Sequence, residues 1–157
     1  MRFLATRELG RLTRWLRLLG FDTAYAKQEE SPVDLFIRSV WEGRVLLTRQ
    51  RVLTRRHGIR YLWVKSDQVR EQLKQILREA GSPPEKEALF SRCLNCNTLL
   101  KRVEKDLVST RVPPFVLKTV EDFVLCPTCD QIFWPGTHLN LAEAFLKSLG
   151  SGEPFRK

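Results

Sequence analysis

The chain has 157 residues, 43% of them hydrophobic and 29% charged, with a formal net charge of +9. That mixture suits a soluble globular protein and excludes a disordered chain, and the length suits one ordinary domain or one small domain with a stapled module. No apolar run reaches the ~18 residues of a membrane span, and the first residues, MRFLATRELGR, lack the apolar stretch of a signal peptide, so no membrane association and a cytoplasmic location are expected.

In chain order, RFLA reads as a first strand. Residues 8–19 carry Leu9, Leu12, Leu16 and Leu19 at spacings of three and four, which predicts a helix with one apolar face. Gly20 is a natural stop. TAYA, residues 23–26, is a second strand. Ser31 then caps a second helix with Pro32 in its first turn. Val33, Phe36, Ile37 and Val40 form its expected inward face, and it ends near Gly43. VLLT is the third strand. YLWV, residues 61–64, is the fourth, after a basic turn or short helix with Arg49, Arg51, Arg55 and Arg56. Residues 67–80 read as a helix with Val69, Leu73, Ile76 and Leu77 inward, stopped by Gly81. Trp15 and Trp41 are expected in the core.

Strand and helix in alternation predict an α/β unit over residues 1–81, a parallel sheet covered by helices on both faces. The third and fourth strands are near-continuous apolar runs, as strands covered on both sides should be. GSPPEKE, residues 81–87, looks like a boundary. A second unit is expected over residues 89–150. It closes with a terminal helix over 138–149, whose Leu139, Leu141, Ala142, Phe145, Leu146 and Leu149 would pack on one of the two units.

The charge is unevenly spread. Residues 1–80 hold 17 Lys and Arg against 9 Asp and Glu, whereas residues 81–157 hold 10 against 9. Most of the excess is Arg, whose planar fork bonds two phosphate oxygens at once. A basic half-molecule points to a polyanion, most often nucleic acid. Arg7, Arg11 and Arg14 lie three and four apart, on a helix face away from the leucines. Arg49, Arg51, Arg55 and Arg56 follow the third strand. The two sets are expected to converge on one cleft and hold a phosphate backbone.

All four cysteines fall in two pairs, CLNC (93–96) and CPTC (126–129), 29 residues apart. Two such knuckles place two thiolates each on tight turns, which together make the tetrahedron of a closed, structural Zn²⁺ site. Two disulfides or a redox pair are the alternatives, and disulfides fit a reducing compartment poorly. With Cys93, Cys96, Cys126 and Cys129 all ligands, no position is left open for catalysis. His138, in FWPGTH, reads as a structural or surface residue, with a ligand role as the alternative. Phe133 and Trp134 would either stack on bases or fill the small core of the ribbon.

The segments FLATRELGRLTRWLRLLGFDT, EGRVLLTRQRVL, SRCLNCNTLL, VPPFV and FVLCPTCDQIFWPGTH together resemble the Mut-seven C-terminal RNase domain family, from about residue 2 to 140. The resemblance implies a PIN-like α/β/α domain followed by a zinc ribbon and, by analogy, RNA cleavage with Mg²⁺ or Mn²⁺. Two positions depart from the family pattern. An aspartate usually ends the first strand, where this chain has Thr6. The turn after the third strand usually reads Thr-Arg-Asp, where this chain has Thr48, Arg49 and Gln50. Neutral Thr and Gln remove the charge that attracts a hard cation.

The expectation is therefore an RNA-binding protein of a ribonuclease family, with a degenerate catalytic site that holds RNA or a ribonucleoprotein. The alternative is an active Mg²⁺- or Mn²⁺-dependent ribonuclease with a relocated acidic site. Its candidate residues are Glu8, Asp22 and Asp34, expected near one sheet end, with Glu42 and Asp67 also in reach. A third option is an adaptor that binds a protein partner through the zinc ribbon.

Overall fold

In the computed structural model, residues 1–55, 58–81 and 86–150 are described. Four parallel strands make one sheet: β1 (Arg2–Ala5), β2 (Asp22–Tyr25), β3 (Val45–Thr48) and β4 (Tyr61–Trp63), in the order β2-β1-β3-β4. Between them run α1 (Gly10–Leu18), entered through a 3-10 turn at Arg7–Leu9, then α2 (Pro32–Trp41) and the short α3 (Arg51–Thr54). Helix α4 (Val69–Ala80) follows β4.

Strand periodicity divides the core. Phe3, Ala5, Val45 and Leu47 point to one face, where Leu12 and Leu16 of α1 and Leu73, Ile76 and Leu77 of α4 cover them. Leu4, Ala24 and Leu46 point to the other, against Leu35 of α2 and Leu53 of α3. Each such leucine contributes about 1.5–3 kcal/mol by leaving water, so the two clusters fix the register of the whole sheet.

Two expectations about this unit are corrected. The capping box between Ser31 and Asp34 sets the start of α2, but Leu35 and Ser39 face the sheet, and Phe36 is half-buried. Val33, Ile37 and Val40 are exposed, and Trp41 is 91% exposed instead of buried. Apolar residues surround this helix almost completely, so periodicity alone could not choose the inward side. Strand β4 is an edge, and its Tyr61 is exposed. Trp15 is half-buried against the first cluster.

The remaining chain forms an antiparallel ribbon, β5 (Lys101–Val103), β6 (Phe123–Leu125) and β7 (Ile132–Phe133), with α5 (Lys105–Val108) and α6 (Pro114–Thr119) between β5 and β6. Val108, Val112 and Phe123 form its core, joined by Trp134. Helix α7 (Thr137–Gly150) then returns to the sheet unit, where Ala142 is buried and Phe145 and Leu146 pack on the first cluster. Ribbon and sheet meet closely at Gly20. Its φ is +88°, and a Cβ there would meet the Ala88 carbonyl oxygen at 2.2 Å. Only glycine suits that combination.

Candidate functional site

Strand β1 has β2 on one side and β3 on the other, so the crossovers diverge there and a crevice opens at the carboxyl ends of β1 and β3. Thr6 and the turn Thr48-Arg49-Gln50 line it. What fills the crevice is the Glu8 carboxylate. The Thr6 hydroxyl donates to its Oε1 at 2.6 Å, the Arg49 backbone N–H to the same oxygen at 3.0 Å, and the Gln50 amide to Oε2 at 3.2 Å. Thr48 lies at 3.4 Å from Oε1 and accepts from the Gln50 backbone N–H. Burial pushes the Glu8 carboxyl up, but the hydrogen bonds from Thr6, the Arg49 and Glu8 backbones and Gln50 outweigh it and hold it below its ordinary value.

The other candidate acids lie elsewhere. Asp22 begins β2, in register with Arg2, so it sits at the amino end of the sheet, opposite Glu8. There it accepts from Arg44 Nη1 and from the Asn97 amide, both at 2.7 Å. Asp34 is spent on the α2 capping box. Asp67 pairs with Arg49, and Glu42 with Arg38 and Arg44. Among the described residues, the one group of three or more acids, histidines or cysteines placed to share an ion is Cys93, Cys96, Cys126 and Cys129. The expected convergence of Glu8 with Asp22 and Asp34 is thus corrected: each carboxylate is engaged by its own set of donors, at a separate place in the fold.

The arginine sets do not converge either. Arg49 is tied to Asp67, and Arg51 lies over the Trp63 ring at 5.1 Å, both on the β4 side. Arg55 is exposed in the turn after α3; Arg56 lies outside the described residues. Arg11 and Arg14 instead border an open groove of about 540 Å³ with Gly10, Tyr25, Leu94 and Asn95, on the β2 side. These are opposite edges of the sheet. Arg7 lies between them, in the turn before α1, and its carbonyl accepts from the Tyr25 hydroxyl.

The cysteine sulfurs lie within 4.8 Å of one another, with Cys93 and Cys129 at 3.4 Å and Cys96 and Cys126 at 3.3 Å. Four sulfurs bound at about 2.3 Å from one ion in a tetrahedron stand roughly 3.8 Å apart, so the set fits a metal such as Zn²⁺. The two knuckles share one backbone design. The N–H of Asn97 returns to the Cys93 carbonyl, and that of Asp130 to the Cys126 carbonyl. Asn97 and Asp130 both have positive φ, which short polar side chains tolerate. The buried Arg17 ties the first knuckle to the sheet. It donates to the carbonyls of Thr23, Leu94 and Asn95 at 2.9, 2.9 and 2.7 Å. Phe133 packs edge-on to Phe90, and Trp134 against Phe123, so both serve packing. His138 falls in the first turn of α7, and its side chain lies outside the described residues.

The chain matches the Mut7-C RNAse domain over residues 1–146. It belongs to that family. No curated protein and no solved structure gives a significant match. Thr6 directly follows β1, and Gln50 lies two residues past the end of β3. A divalent cation with oxygen ligands is usually held through one or two carboxylates, waters and substrate phosphate. At this crevice one carboxylate is present, and the neighbouring groups aim donors at it where a cation needs acceptors. These residues do not fit Mg²⁺ or Mn²⁺. Among the described residues no helix is long and apolar enough to cross a membrane.

Sequence reasoning missed Arg17, Tyr25, Asn95 and Asn97. Arg17 looks like another surface arginine of α1, although it sits next to Leu16 on the buried side. Asn97 had a readable signal: like Asp130, it directly follows a Cys-x-x-Cys knuckle.

Proposed function

We propose that this chain is a Mut7-C protein that holds RNA, alone or within a ribonucleoprotein, and does not cleave it. The observation that carries this reading is the Glu8 carboxylate bound by Thr6, the Arg49 N–H and Gln50. Two positions that bear aspartate in the family pattern instead supply neutral donors, and they satisfy the remaining acid from within. Removing anions from the crevice leaves the basic half of the chain free to attract phosphate. A Zn²⁺ ion on Cys93, Cys96, Cys126 and Cys129 would serve structure alone, since four protein thiolates leave no open coordination position. The family's ribonuclease chemistry, the competing function, needs acids that meet, and Glu8, Asp22 and Asp34 are engaged at separate places.

The test is binding of a fluorescein-labelled single-stranded RNA by the purified chain, followed by sequencing of RNA that co-purifies from cells. The proposal expects binding that weakens with salt, with a slope of about −0.7 per phosphate contact, and recovery of intact RNA. Absence of binding at low salt would overturn it.

A further inference from the structure

We propose that the RNA site is the groove between α1, β2 and the first cysteine knuckle, and that it takes a single strand. The inference rests on the RNA-binding reading above and moves the site away from the crevice where the family's acids would lie.

The groove is lined by Gly10, Arg11, Thr13, Arg14, Tyr25 and Asn95, with Arg17 and Leu94 behind them. Three arginines and no carboxylate face it. Arg17 is spent on the backbone carbonyls of Thr23, Leu94 and Asn95. Arg11 and Arg14 are exposed and make no ion pair or side-chain hydrogen bond among the described residues. Placed three apart on α1, they are neighbours along one helix edge. Beside the crevice Arg49 is paired with Asp67 and Arg51 lies over the Trp63 ring, whereas here two guanidinium groups are left for a ligand.

A strand of RNA supplies what the rest of the groove lacks. Tyr25 is 36% exposed. Its hydroxyl is anchored to the Arg7 carbonyl, so its ring is held in place for a base to stack. Gly10 keeps the helix start clear of that ring; a Cβ there would meet the Tyr25 hydroxyl at 3.0 Å. Asn95, exposed at the tip of the first knuckle, offers an amide to a base edge. Phosphate cradled by arginines, bases on an aromatic ring and no sheet-end contact is the pattern of single-strand binding. A duplex would hide the base faces that Tyr25 reads.

The groove also has a dependence that the crevice lacks. One wall belongs to the sheet unit and the other to the knuckle, and Arg17 joins them. RNA binding therefore needs both parts of the chain assembled.

The experiment is fluorescence anisotropy of the full chain with a labelled twelve-nucleotide oligouridine, titrated with salt. Three variants address the groove: Arg11→Ala with Arg14→Ala, Tyr25→Leu, and Tyr25→Phe as the control that keeps the ring. Two address the crevice side: Arg49→Ala and Arg51→Ala. The double arginine variant should reduce the salt slope by about 1.4, at roughly 0.7 per lost contact. Tyr25→Leu should weaken binding about tenfold, and Tyr25→Phe less than threefold. The crevice-side variants should bind as wild type. If they lose affinity while the groove variants bind normally, the groove is wrong and RNA binding stands. Equal loss in both sets shows a diffuse attraction and also overturns the groove. If wild type binds no RNA at low salt, the RNA-binding reading itself fails.

Discussion

The crevice at the carboxyl ends of β1 and β3 and the groove beside the first knuckle are both basic in sequence, yet they differ in what they leave unsatisfied. In the crevice Glu8 has Thr6, the Arg49 N–H and Gln50, while Arg49 has Asp67 and Arg51 has the Trp63 ring. In the groove Arg11 and Arg14 have none among the described residues. A polar cluster that closes on itself stabilises the fold, whereas unpaired cations around an aromatic ring keep their free energy for a ligand. Local charge density does not separate these cases. Partner geometry does.

The strongest way to break the comparison is to remove the metal. If the four cysteines hold Zn²⁺, its binding is coupled to folding of the ribbon, where apparent free energies reach about 10 kcal/mol or more. Metal analysis should find one zinc per chain. Chelation, or Cys126→Ser, should collapse the amide spectrum of residues 93–134 and lower RNA affinity more than tenfold, while Leu4, Leu46 and Leu47 keep their core signals. Unchanged RNA binding after zinc loss would show that the knuckle forms no wall of the site.

Two substitutions at the junction come next. Gly20→Ala forces a Cβ against the Ala88 carbonyl at a positive φ, and urea unfolding should show a loss of about 3 kcal/mol. Arg17→Met removes three bonds to buried or half-buried carbonyls, for about 3 kcal/mol. It should also weaken RNA binding, although Arg11 and Arg14 are untouched. Wild-type affinity in Arg17→Met would separate the junction from the groove.

The crevice is sharpened by restoring charge. Thr6→Asp with Gln50→Asp places like charges around Glu8 and should cost about 1–3 kcal/mol in buffer without added divalent cation. Thermal melts should recover part of that loss in Mn²⁺, and each single change should recover less, because the carboxylates act together. A double variant indifferent to Mn²⁺ would show that the surrounding geometry has drifted as well.

The smallest effect is in pH. The Glu8 carboxyl is depressed in the fold, so its contribution is present at neutral pH and is lost as pH falls below about 4. Glu8→Gln should therefore destabilise by about 1 kcal/mol near pH 7, a modest figure because solvent reaches this side chain. The gap from wild type should close toward pH 3.

Much of this was legible in the chain. The leucine spacing of α1, the apolar runs of β1 and β3 and the paired cysteines each announce themselves within a few residues. Thr6 and Gln50 were legible as departures, but not the reason they matter, because their shared partner Glu8 is joined to Gln50 across 42 positions. The groove was hidden for the same reason. Arg17 reaches Leu94 and Asn95 across 77 and 78 positions, and no local pattern reports such contacts. Helix α2 was misread for the opposite cause: it carries apolar residues on too many sides for its inward face to be chosen.

The central claim, that the chain holds RNA without cutting it, is tested most directly by one incubation. Wild type at a concentration that saturates a labelled single-stranded RNA is held with Mn²⁺ for hours, and both bound fraction and RNA length are measured. The account predicts RNA that is bound and full-length. Mn²⁺-dependent shortening that disappears in Glu8→Gln would contradict it, and would return the crevice to catalysis.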